Sequence, residues 1–164
     1  MWCLTPEESQ SWCEGHGIHL DSRNHPILDD LKYDVQVPLS DRSWSRLFYV
    51  SQFIASSVEP FEKCLFWVTL SGVWGSSENW HLFYRFRDSY HERRPLDQAP
   101  GHVFLRHEAV DLTTFIQLAL ISGWDFYVVP RPLHQAAVFV THDEFVHFYT
   151  SNDTFASKAR TFLD

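Results

Sequence analysis

From Cys64 to Leu70 the chain reads CLFWVTL. A strand with one wet face alternates apolar and polar side chains, whereas this run is almost continuously apolar. It therefore predicts a central strand buried on both faces, and the rest of the chain must supply the layers that cover it. A chain of 164 residues has the length to do so as a single globular domain over 1–164. At that size a fold buries about 70% of its unfolded surface without needing disulfides or metals. The 7 Trp, 6 Tyr and 14 Phe supply large apolar side chains for such a core.

The flanking segments carry helix and strand signals in alternation. Thr5-Pro6-Glu7-Glu8 combines a Thr cap, a Pro at the first helical position and a Glu three residues after the cap, a capping box; the helix it starts should end near Gly15 or Gly17. Residues 18–33 read as a loop. Val35 and Val37 alternate with polar neighbours, and Pro38 marks an edge or a strand end. Ser40 or Asp41 then caps a helix to about Ser57, with Trp44, Leu47, Phe48, Ser51, Ile54 and Ala55 on one face. Ser77 is the expected cap of a third helix fading near His91, on which Trp80, Phe83, Tyr84 and Arg87 share a face. A short strand over His102–Arg106 and a helix from about Val110 to its stop at Gly123 follow. Phe126–Val129 and Ala136–Val140 are paired as a wide hairpin joined by PRPLHQ. Thr141-His142-Asp143-Glu144 reads as a second capping box, opening a helix with Phe145, Phe148 and Tyr149. Asn152 or Asp153 caps the last helix.

This order predicts an α+β (mixed α/β) fold: a mixed sheet of four to five strands with a C-terminal β-hairpin, packed by about five or six helices. Helices between the first strands imply some parallel pairing, and the late hairpin adds an antiparallel pair.

Composition removes several function classes. The formal charge is −8, which disfavours nucleic acid as a partner, because phosphate contacts need a basic surface. It favours attraction to basic partners. No apolar run approaches the length of a membrane span, and the N-terminus lacks the basic and apolar regions of a secretory signal. Cys3, Cys13 and Cys64 have no CxxC spacing and read as reduced thiols, which implies a cytoplasmic location.

The histidines invite a metal reading. Glu78-Asn79-Trp80-His81 and Glu144-Phe145-Val146-His147 are both Glu-x-x-His, the spacing that di-iron bundles use with extra carboxylates from other helices. Those carboxylates are not evident, so Glu78, His81, Glu144 and His147 remain only candidates, and no metal or other cofactor is expected. His142 and His147 are five apart, one too many for the zinc-protease spacing. The loop from Gly72 to His81 joins a buried strand to a helix N-terminus, a place with free N–H groups suited to a small anion. Trp74, Ser77, Trp80, His81 and Arg85 are its candidate ligand-binding residues; core burial of both tryptophans is the plainer alternative. No P-loop, dinucleotide fingerprint or nucleophile elbow occurs. Arg85, Arg87, Arg93 and Arg94 form a basic stretch diluted by Asp88 and Glu92, where Arg–carboxylate pairing is the default.

The run SENWHLFYRFRDSY, followed by APGHVFLRHE, SGWDFYVV and THDEF, resembles small bacterial proteins of uncharacterised function over about Trp2 to Phe148. The resemblance is a pattern of aromatics and glycines. It implies a bacterial cytosolic origin and carries no functional residue across.

These readings favour a non-enzymatic cytosolic protein that binds another protein, a basic one, as an inhibitor or immunity-type protein does. The alternative is a small-ligand or metal-binding enzyme using the Gly72–His81 loop. A homo-oligomer with aromatics at the subunit interface is a third reading.

Overall fold

The computed structural model describes residues 1–28, 31–39, 42–71 and 80–162. Among them, seven strands form one sheet: β1 (Trp2–Leu4), β2 (Tyr33–Pro38), β3 (Lys63–Leu70), β4 (Gly101–Leu105), β5 (Asp125–Arg131), β6 (Ala137–Thr141) and β7 (Phe145–Thr150). The order is β1-β4-β3-β5-β6-β7-β2, and every pairing is antiparallel. The helices are α1 (Pro6–Gly15), α2 (Trp44–Val58), α3 (Trp80–Ser89), α4 (Ala109–Ser122) and α5 (Asp153–Arg160).

The α+β class and the late hairpin stand, since β5 and β6 pair from Phe126–Val140 to Val128–Val138. The strand number was set too low, for two reasons. β1 has only three residues, too few to show a period. β7 carries a helix-start signal in its sequence, because its approach matches a capping box. In the structure Thr141 pairs with Phe145 across a tight turn, with Glu144 at φ 66 and its N–H on Thr141 O at 3.2 Å. This is a three-residue hairpin loop with a left-handed last position. The alternation in FVHFYT, with Val146 and Phe148 buried, outweighs the capping signal once β6 offers an edge to pair with.

Parallel pairing is also corrected. β4 and β5 do run in the same direction, as do β2 and β3, and helices α4 and α2 link them. But β3 lies between β4 and β5, while β7, β6 and β5 lie between β2 and β3. Antiparallel strands inserted between the helix-linked ones leave no parallel neighbours.

Local signals account for the remaining boundaries. Thr5 Oγ1 accepts from Glu8 N at 3.2 Å while Glu8 Oε2 accepts from Thr5 N at 2.8 Å, the expected capping box. Ser43 caps α2, its Oγ accepting from Arg46 N at 3.4 Å, while the expected caps Ser40 and Asp41 lie outside the described residues. Gly123, at φ 66, ends α4, and Asn152 Oδ1 caps α5 at 3.0 Å from Phe155 N.

β3 is buried on both faces, as its sequence requires. Cys64, Phe66 and Val68 join the cluster under the helices; Leu65 and Trp67 join the cluster on the opposite face. On the helical side, α2 and α4 pack against each other over the sheet, α3 lies beside α4, and α5 packs on β2 and β7. The centre of that core is aromatic. Phe115 of α4 has the rings of Phe83, Phe86, His102, Phe104 and Phe66 at 4.7, 4.7, 5.0, 5.2 and 5.9 Å. On the opposite side α1 packs on β1 and β4. Gly101 permits that approach, because a Cβ there would overlap Ser9 Oγ of α1.

Candidate functional site

Antiparallel register sets one side chain from each strand in a lateral row on the face opposite the helices. Trp67 of β3 pairs with Tyr127 of β5, Tyr127 with Phe139 of β6, Phe139 with His147 of β7, and His147 with Gln36 of β2. Strand alternation sends all of them to one side, so four neighbouring strands build a continuous ladder of rings that Gln36 of β2 ends. Tyr127 and Phe139 stack at 4.3 Å, Phe139 lies 5.9 Å from His147, and His147 lies parallel to Tyr149 at 6.1 Å.

The end of the ladder on β3 is closed. Cys13, Ile18 and Leu28 cover Leu65, Trp67, Val103 and Val129. The other end is open: the helices that contact β6, β7 and β2 are α2 and α5, on the far side of the sheet. Phe139, His147 and Tyr149 are half-buried, Phe139 and Tyr149 against the cluster beside them, and Asp34, Gln36 and Phe145 are exposed. Carboxylates frame this area. Asp34 holds His147 Nδ1 at 3.1 Å, and Gln36 Nε2 donates to Asp34 at 3.3 Å. At the strand ends Asp125 accepts from His142 N and lies 2.8 and 3.0 Å from His142 Nδ1, which raises the His142 pKa above its ordinary value. No Lys or Arg occurs in β2, β6 or β7.

Among the described residues the metal candidates are not brought together. His81 and Arg85 are exposed on α3. Glu144 lies in the β6–β7 turn, where it meets Arg42 at 3.6 Å, while His147 is on the sheet with Asp34. Since 144–147 is turn and strand, its Glu-x-x-His spacing does not place both side chains on one helical face. Among the described residues no group of three or more His, Cys, Asp or Glu could hold a metal ion. Trp74, Ser77 and Glu78 lie outside the described residues, and Trp80 opens α3.

The arginine stretch is largely spent internally. Arg93 pairs with Asp88 at 2.8 Å, and Arg94 binds Glu92 with two nitrogens, pulling the Glu92 carboxyl down to about 2. Arg87 is fully buried; its Nη2 donates to Ala99 O at 2.9 Å, and its guanidinium lies over the rings of Tyr84 and Phe83. Two of the three thiols, Cys13 and Cys64, are also buried, and Cys3 is half-buried. Burial pushes Cys13 up to about 12 and Cys64 well above its ordinary value.

A cleft of about 390 Å³ opens at the end of β3, lined among the described residues by Trp67, Thr69, Gln10, Arg23, His25 and Asp97 with others. A second hollow of about 310 Å³ shares Ser71, Leu96 and Asp97 with it and adds Tyr84 and Trp124. Both lie where the chain leaves β3 towards the segment that the sequence singled out.

No protein-family model, curated protein or solved structure matches this chain. The open sheet face is the site that sequence reading missed. Its signal was the alternation in FVHFYT and YDVQVP, but only register shows that Phe139, His147 and Gln36 stand side by side.

Proposed function

We propose that this chain is a binding protein that docks a basic partner protein on the open face of β6, β7 and β2. One observation carries the reading. Three neighbouring strands present the rings of Phe139, Phe145, His147 and Tyr149 on one face with the Asp34 carboxylate beside them, and contain no Lys or Arg. Rings already held by cross-strand stacking lose little freedom on docking, and the Asp34 carboxylate orients a cationic partner. The −8 charge of the chain adds long-range attraction.

Asp34→Lys with Gln36→Lys tests this, because both side chains are exposed and the substitutions leave the core intact. Chemical cross-linking in lysate of the source organism should join the wild type to a basic protein. The purified pair should then lose at least about tenfold in affinity with the double variant, about 1.4 kcal/mol, and weaken with added salt. Equal binding by both forms, or no cross-linked partner above background, overturns the reading.

The cleft at the end of β3 favours a second reading, a small polar ligand held by Arg23, His25 and Asp97. Native mass spectrometry of freshly purified protein is expected to show a retained mass that Arg23→Ala with Asp97→Ala removes. A chain-only mass in the wild type counts against it.

A further inference from the structure

Helix α2 has two unlike sides. Leu47, Val50, Ile54 and Val58 are buried against the sheet and α4. The outward arc is Trp44, Ser45, Phe48, Tyr49, Gln52 and Ser56, all exposed. Trp44 is 67% exposed, Phe48 52% and Tyr49 54%. This corrects the inward placement of Trp44 and Phe48: the buried arc centres on Leu47, Ile54 and Val58, and leaves both on its outer side. Trp44 and Phe48, four apart, stand one above the other, and Tyr49 stacks on Phe162 beyond α5 at 4.9 Å.

An outward helix arc ordinarily carries charge. This one carries none, and α2 contains no Asp or Glu at all, in a chain with 21 acidic residues. Rings of this size with more than half their area exposed are a recurrent mark of an interface.

We infer that this arc is a self-association surface and that its occupant is a second copy of the chain, packed α2 against α2 about a two-fold axis. Two features select a second copy over an unlike partner. The arc holds only rings, hydroxyls and an amide, so it is complementary to itself and needs no opposite charge. Two chains each carrying −8 repel, and a face that α2 lines without a carboxylate, bordered by Lys158 in the hollow it shares with Tyr49, Gln52 and Ser56, lets them meet with least cost. The three rings expose roughly 350 Å² per copy, given the 150–250 Å² of an aromatic side chain. Doubled, and with Ser45, Gln52 and Ser56 added, the contact approaches the roughly 1,000 Å² at which a specific interface begins. The association is therefore concentration-dependent. Because α2 and the open face of β6, β7 and β2 lie on opposite sides of the sheet, the dimer leaves both open faces free.

Sedimentation velocity over a dilution series decides the matter. The wild type should move from the chain mass towards twice that mass as concentration rises, and more readily with added salt, which screens the repulsion. Trp44→Ser with Phe48→Ser should stay at the chain mass with an unchanged thermal midpoint. Ser45→Glu with Gln52→Glu, which sets like charges across the interface without removing any packing, should do the same. The open-face pair Asp34→Lys with Gln36→Lys should still dimerise, which keeps this result separate from partner docking. A wild type that remains monomeric up to its solubility limit overturns the inference, and so does a dimer that persists in either α2 variant.

Discussion

Phe115→Ala is expected to cost about 3–5 kcal/mol of folding stability. The ring is fully buried and meets five others, from α3, β3 and β4. Those neighbours sit on a rigid sheet and on helices, so they cannot close over the gap, and the lost contacts add to the lost transfer energy. For a chain of this length the thermal midpoint should fall by on the order of 10 °C. Phe145→Ala is the control. That ring is 40% exposed, and its loss should change stability by only about 0.5 kcal/mol. Urea denaturation of both variants checks the pair. A Phe115→Ala loss close to that of Phe145→Ala would mean that the aromatic cluster is not the centre of the core.

The second large effect concerns acid stability and His102. Its ring is fully buried on β4 among Phe66, Phe83 and Phe115. It lies near the backbone carbonyls of Phe66 and Pro100, and neither ring nitrogen makes a hydrogen bond of normal geometry. Burial, helped by the Arg87 cation, pushes its pKa from the ordinary 6.5 down to about 3. Below pH 6.5 the unfolded chain takes up a proton that the folded chain refuses. His102 therefore withdraws stability as pH falls through 6.5 towards 3, at up to about 1.4 kcal/mol per pH unit. His102→Leu keeps a similar volume and removes that proton. Its stability, measured by urea midpoints at several pH values, should fall less steeply than that of the wild type over this window and exceed it at the acid end. Parallel curves would show that His102 takes up its proton in the folded state.

The buried Arg87 belongs to the same environment. Among the described residues its Nε and Nη1 have no hydrogen-bond partner, and the rings of Phe83 and Tyr84 face its charge. Spacing puts Trp80, Phe83, Tyr84 and Arg87 on one helical face, and the arginine stretch reads as a solvated face paired with carboxylates; the structure instead encloses Arg87. That depends on the 95–100 segment returning beside α3, where Ala99 O accepts from Arg87 and Leu96 N donates to Tyr84 Oη at 3.0 Å.

Signals contained within one turn or one strand were legible in the chain itself. The capping box at Thr5, the glycine stop at Gly123, the buried run CLFWVTL and the hairpin through PRPLHQ all follow from satisfying local backbone groups or from a side-chain period. They needed no knowledge of neighbours. The signal at Thr141 was legible too, but it fits a helix start and a hairpin turn alike, and the edge of β6 decided between them. Whether Trp44 and Phe48 face in or out depends on where α4 and the sheet meet α2, which periodicity alone does not locate. The candidate site was the least legible part. Phe139, His147 and Gln36 come from three strands, one of them more than a hundred residues from the others along the chain. Each is unremarkable in its own segment, and only the pairing of β6, β7 and β2 makes them one surface. Sequence by itself determined which segments are strands or helices where the cause is local, and that the chain is acidic and rich in rings. Strand order, register and the choice of open face were decided by tertiary structure, because they depend on which apolar faces find one another across the whole chain.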